Sequence, residues 1–294
     1  LGMNATRLYT LKYGQNRQVL SIGRVQTPTL ALIVKRQQEI ENFKPEPYWE
    51  LKTVYRETTF NSTKGKFSSK EEGEKFLETV KNSDFTVTDV SAKKGTEAPP
   101  RLFDLTSLQV ECNKKFSYSA DMTLQLIQSL YEKKFITYPR TGSRYISEDV
   151  AEEIPALIGN MTRYPRFAEY AGRMDTASLS RRSVDNEKIA DHHALLPTEN
   201  LPSELDADHR IVYEMVAGRM LETFSGACVK ENTSLTLQSA GHDFTARGSI
   251  MVETGWRAVL NEPVEEKEED MTLLPDIVQG DELPVKGCVT EQKQ

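Results

Sequence analysis

The hydrophobic period of this chain switches repeatedly between strand and helix, and that switching constrains the fold more than any other feature. Trp49, Leu51, Thr53 and Tyr55 alternate with polar residues, the period of a half-buried strand, and FTVTDVSAK (85–93) repeats it. Between them Glu71–Lys81 reads as a helix, and Gly95 to Pro100 reads as a linker. From 101 to 226 the period is helical. SADMTLQLIQSLYEKKF predicts a helix capped near Ser119, with Met122, Leu126, Ile127, Leu130 and Tyr131 inward. Ser147, followed by Glu148 and Asp149, opens another, and Asp206–Phe224 a third that buries Ile211, Val212, Met215, Val216 and Met220 before Gly226. The strand period then returns in TSLTLQ, a turn at Gly241-His242, and DFTARG. An α+β chain follows: a helical unit, 101–226, inserted between two halves, 47–100 and 227–294, of a mainly antiparallel β unit. Carried on two hinge strands, the helical unit can move as a body. Ahead of these lies a helical segment, 1–46. Thr27 is its expected N-cap, Pro28 its first helical position, and Leu30, Ile33, Val34 and Ile40 its apolar side.

Composition narrows the function classes. A chain of 294 residues, 38% apolar, is long enough for two or three compact units. Cys112, Cys228 and Cys288 are odd in number and lack metal-type spacing, which points to reduced thiols in a cytosolic setting. No apolar run reaches the roughly 20 residues needed to span a bilayer, and no signal peptide is visible. The start, LGMNATRLYT, has no initiator methionine and reads as mid-domain, so an excised fragment is expected. The net charge of −7 says little about partners, because residues 262–294 alone hold ten acids against three lysines. Residues 1–44 carry seven Lys or Arg against two acids, a local basic excess suited to phosphate or to a solvated helix face. The acidic stretch 262–270 is expected to be a mobile loop.

Three short segments can carry chemistry. In FITYPRTGSRY, 135–145, Tyr138 stands before Pro139 with Arg140 and Arg144 close by. A free phenol has a pKa of about 10, so an attacking tyrosine needs positive charge or a base beside it. An arginine can grip two phosphate oxygens at once. The same triplet is also compatible with an ordinary surface, since the chain has 11 tyrosines. Asp191-His192-His193 is the second segment. Neighbouring histidines cannot both face one metal on a regular element and no cysteine is near in sequence, which argues against zinc. A phosphate-binding or acid–base histidine fits, and so does one buried and one exposed ring. In Gly23-Arg24-Val25-Gln26-Thr27, Arg24 and Gln26 would share one side of an extended segment leading into a helix N-terminus. That arrangement suits a nucleic-acid backbone, and a plain helix cap with an exposed arginine looks the same.

SIGRVQTPTLALIVKRQQEIENF, FDLTSLQ, QSLYEKKFITYPRTGSRYIS and DHHALLPT, in this order and at these separations, resemble type IA DNA topoisomerases. The topoisomerase III branch is the closer likeness, through the proline after Tyr138 and the paired histidines. The likeness runs from about residue 1 to 260. It implies that Tyr138 attacks a single-stranded DNA phosphodiester and keeps the 5′-phosphate. Arg140 would hold the scissile phosphate, and His192 would hydrogen-bond near it. Arg24, Gln26 and Thr27, with Thr141 and Arg144, are the expected DNA contacts. By the same likeness, 1–46 belongs to the DNA-binding gate-base domain, 47–100 and 227–294 form the hinge domain, and 101–226 carries the tyrosine. The expected location is cytoplasmic, on the bacterial nucleoid, without a membrane partner.

Two departures from the family pattern stand out. Gly142 occupies the position of a family acid, two residues after the motif arginine. The toprim domain with its Mg²⁺ site is not in this sequence, and neither is the returning gate-base segment, so these parts of the same polypeptide are expected partners. No metal site is expected within this chain. Asp206-Ala-Asp208 mimics the metal pair but reads as N-terminal helix charge. Tyrosine recombinases also use Tyr, His and Arg, but their nucleophile follows a His-x-x-Arg that is absent here. A non-catalytic single-strand-binding module is the remaining alternative for the isolated fragment.

Overall fold

A computed structural model of the chain describes residues 2–15, 18–55, 58–81, 83–189, 191–260, 274, 278–283 and 288–293. The acidic stretch 262–270 lies outside the described residues. Helices α1 (Gly2–Tyr13) and α2 (Gln26–Glu41) come first. Strands β1 (Tyr48–Tyr55) and β2 (Thr58–Phe67), helix α3 (Lys70–Lys81) and strand β3 (Phe85–Glu97) follow. Then come helices α4 (Leu105–Phe116), α5 (Ala120–Glu132), α6 (Glu148–Met161), α7 (Ala168–Arg173) and α8 (Ala207–Phe224). Strands β4 (Cys228–Ser239), β5 (His242–Glu253), β6 (Glu282–Leu283) and β7 (Cys288–Lys293) complete the order.

The strands form one sheet in the order β6-β3-β4-β5-β2-β1-β7, antiparallel at every pairing. Its β3–β4 pair carries the five helices of 101–226 between its strands. β3 and β4 pair from Thr86↔Gln238 to Glu97↔Cys228, so the chain leaves the sheet and re-enters it across one rung. The pairing also shows that Gly95–Glu97 is strand, not linker. The strand runs on through Lys94 and Gly95 without apolar alternation, because partner backbone supplies the hydrogen bonds that side chains do not announce. β2 was illegible for the same reason. TTFNSTKGKF is mostly polar, yet Thr58, Phe60 and Ser62 alternate inward. The β4–β5 turn is at Ala240-Gly241, both with positive φ, as a two-residue turn of the I′ kind requires.

Two separate apolar cores result. Phe60, Phe67, Phe85, Leu235 and Phe244 of the sheet pack with Phe76 and Val80 of α3. Leu102, Phe103, Ile127, Leu130, Ile154 and Phe167 pack around α8 in the helical unit. Each such side chain contributes about 1.5–3 kcal/mol on full burial. α8 is buried on nearly every side from Val212 to Phe224, which makes it the axis of the helical unit. Asp206 caps it by accepting from the His209 amide, and Asp208 accepts from the Tyr118 hydroxyl at 2.6 Å.

Helices α1 and α2 bury none of their residues. The apolar side of α2 is present but uncovered, with Leu30 60% and Ile33 61% exposed. Thr27 is not its N-cap. The helix opens at Gln26, and the Thr27 hydroxyl accepts from the Gly23 amide at 3.1 Å.

Candidate active site and DNA-contact surface

The geometry around Tyr138 begins at the end of α5. Lys134 takes φ 63°, its amide donates to the Tyr131 carbonyl, and the Phe135 amide donates to the Leu130 carbonyl. This left-handed Schellman stop turns the chain sharply out of the helix. Lys134 is held there, because its carbonyl accepts from the Thr198 hydroxyl at 2.5 Å and from the Asn200 side chain at 3.2 Å. Ile136 then bridges Pro197, and Thr137 and Leu196 exchange two hydrogen bonds. The segments carrying Tyr138 and the paired histidines are thereby locked together.

Beyond Pro139 the same two segments are tied again. The buried Thr141 hydroxyl donates to the His192 carbonyl at 2.9 Å and accepts from the Ser143 amide at 3.1 Å. The Ala194 amide donates to the Tyr145 carbonyl, and the Leu195 amide to that of Phe103. Tyr138 is half-buried, with the edge of its ring set against Tyr131 at 84°. Its ring centroid is 4.3 Å from that of His192. His192 is exposed, whereas His193 is half-buried with Nδ1 2.7 Å from the Ala194 carbonyl.

Tyr138, Arg140, Gly142, Lys188, Asp191 and His192 line one open cleft of about 520 Å³. Arg140 is exposed in it. A nucleophilic phenol, a permanent cation and an imidazole can therefore meet one phosphate approaching from solvent. Lys188 was missed in the sequence. It sits in a short 3₁₀ turn, Asn186–Lys188, and no periodicity or motif marks it.

The profile of the DNA topoisomerase family matches residues 1–294. The chain belongs to the type IA DNA topoisomerases. Within that family it is topoisomerase III-like. It is 35% identical over 315 aligned residues to DNA topoisomerase 3 of Bacillus licheniformis, covering 100% of this chain and 41% of that protein. It is 34% identical over 299 to DNA topoisomerase 3 of Bacillus subtilis, covering 97% of this chain and 41% of that one. The chain thus spans about two fifths of the curated relatives it matches. Full-length topoisomerase I of Thermotoga maritima shares the fold, with a TM-score of 0.73 at 23% identity over 99% of this chain and 47% of that one.

The expected DNA contacts of this topoisomerase chain fall in different places. Arg24, Gln26 and Val25 line a separate shallow groove on α2. Arg24 and Gln26 do not share an extended strand, because Arg24 lies in a turn and Gln26 is the first residue of α2. The Gln26 side chain donates to the Ser21 hydroxyl at 2.6 Å. Arg144 donates from Nε to the Leu102 carbonyl at 3.2 Å, which anchors the motif to the start of the helical unit. Thr141 borders the cleft, but both roles of its hydroxyl are taken up in joining the two segments.

Among the described residues, no group of three His, Cys, Asp or Glu converges as a metal site. Among the same residues, no helix is long and apolar enough to cross a membrane.

Proposed function

We propose that the chain is the tyrosine-bearing part of an enzyme that cuts and reseals single-stranded DNA. The observation that carries this reading is the meeting of Tyr138, Arg140 and His192 in one open cleft. The Tyr138 oxygen attacks a backbone phosphorus, the bond from phosphorus to the 3′ oxygen breaks, and that oxygen leaves with a proton as a 3′-hydroxyl. The 5′-phosphate remains on the tyrosine. Arg140 holds the phosphate oxygens and offsets the charge that builds on them. His192 hydrogen-bonds at the same phosphate. One phosphodiester replaces another, so resealing is the same step in reverse and needs no ATP.

The domain reading supports strand passage. Residues 101–226 form the moving helical domain, 47–100 and 227–294 the hinge, and 1–46 part of the gate base. The β3–β4 pair is the hinge, because both crossings into the helical unit lie on its last rung. Between cutting and resealing the helical domain swings away and another strand passes. Arg24, Gln26 and Thr27 guide DNA toward the cleft. Magnesium chemistry belongs to a toprim domain of the same polypeptide, and the bare side of α2 receives the remaining gate-base segment. The second reading, single-strand binding without chemistry in isolation, rests on the chain spanning only 41% of its relatives.

The deciding experiment mixes the chain with a separately made toprim fragment, Mg²⁺ and a labelled single-stranded oligonucleotide. A covalent adduct is expected with Tyr138 and none with Tyr138→Phe. Equal behaviour of the two would sink the nucleophile assignment. Binding without any adduct would support the second reading.

A further inference from the structure

We infer that Lys188 is a second phosphate-binding cation of the Tyr138 cleft, taking a backbone phosphate next to the one held by Arg140. The inference rests on the proposed function and specifies how the same cleft grips its substrate. Lys188 lines the cleft with Arg140 while coming from a distant turn, so the two cations face one space from different segments. A single-stranded substrate carries a charge on every nucleotide, and a cleft that seats one phosphate must deal with its neighbours.

Three restraints prepare Lys188 for that task. Its carbonyl accepts from the Ser143 hydroxyl at 3.0 Å, which fastens its turn to the Arg140 loop. Its ammonium lies 2.5 Å from Asp185 Oδ2 and 5.0 Å from the centre of the Tyr145 ring. Asp185 also caps the turn, accepting from the Glu187 amide. The Lys188 side chain nevertheless remains 57% exposed, so a phosphate can reach it. Asp191 is the acid on the cleft wall, and Asp185, the partner of the Lys188 ammonium, is not among the residues lining the cleft. A lysine acts as a flexible point charge that tolerates varied phosphate positions, whereas arginine imposes a planar fork. That division suits one fixed scissile phosphate and one neighbour that must slide.

The test titrates the 294-residue chain with a labelled single-stranded oligothymidine across a salt series, read by fluorescence anisotropy. Lys188→Gln is expected to bind about fivefold more weakly at low salt, with a log–log salt slope shallower by about 0.7. Lys188→Arg should restore both. Asp185→Asn keeps the capping oxygen and releases the ammonium, so it should bind at least as tightly as the unaltered chain. Unchanged affinity and slope in Lys188→Gln would overturn the inference and leave the proposed function standing. Equal weakening by Asp185→Asn and Lys188→Gln would overturn it too, by showing that the ion pair serves only the fold. If the unaltered chain fails to bind at low salt, the proposed function falls, and this inference with it.

Discussion

The ring of His192 lies 4.3 Å from that of Tyr138, centroid to centroid, at an interplanar angle of 42°. Residues from two distant segments meet at that distance because Thr141 and Thr137 fasten the segments on either side of the tyrosine. The imidazole itself is exposed and carries little of the fold. His192→Ala should therefore leave thermal stability nearly unchanged, within about 0.5 kcal/mol. In the complemented cleavage assay it should lower adduct formation by about 10²-fold. A loss of stability matching the loss of adduct would move His192 from chemistry to structure.

Gly142 offers an opposite test. It is exposed, its φ is not left-handed, and a Cβ added there meets nothing within 4 Å. Gly142→Asp should fold as well as the native chain, within about 0.5 kcal/mol. Its carboxylate enters the cleft beside Arg140 and should weaken oligonucleotide binding, most at low salt where screening is least. Unchanged affinity across the salt series would place the DNA away from this wall.

Glu97 ends β3 at the rung where the helical unit departs. Its carboxylate accepts two hydrogen bonds from Arg257 Nη2, both at 2.9 Å, and lies 3.6 Å from the Lys230 ammonium. Its carbonyl accepts from the Trp256 indole at 3.3 Å. Glu97→Gln strands two mostly buried cations but leaves a partly exposed amide near them. The expected cost is roughly 1–2 kcal/mol, between the exposed and buried limits for ion pairs. Urea denaturation should read that loss, and hydrogen exchange should quicken at 94–97 and 228–230. Protection unchanged on both strands would remove Glu97 from the hinge.

The helical unit should be alkali-sensitive. Burial, then the hydrogen bond to Asp208, pushes the Tyr118 phenol up to about 12. Burial also raises Tyr164, which donates to Glu214, and Tyr213 in the core. A raised phenol favours the neutral form in the folded state, so its contribution is complete below the unfolded value of about 10. It is lost as pH rises through the folded value. Stability measured by urea midpoints should be flat to about pH 10 and fall above it. Tyr118→Phe should make that fall shallower, and an equal slope in the variant would exclude Tyr118 as a contributor.

The parts of the fold legible beforehand are those in which burial follows local period. α5 and α8 were readable because Ser119 and Asp206 cap them and apolar residues recur at helical spacing. Tyr131 broke that reading. It lies on the expected inner side of α5 but is exposed, with its ring set edge-on against Tyr138. In α2 the apolar spacing was correct while the inferred burial was not, because period reports a face and not what covers it.

By itself the sequence determined the helical block of 101–226 between two strand-period stretches, and the motifs holding Tyr138, Arg140 and His192. These are local properties, written in spacing, capping and residue type. Only the tertiary structure decided that Lys188 joins the tyrosine's cleft, that Arg144 serves the Leu102 carbonyl, and that Glu97 stands across one rung from Cys228. Those relations depend on long-range pairing, in which the partner is chosen by backbone register and core packing rather than by neighbours in the chain.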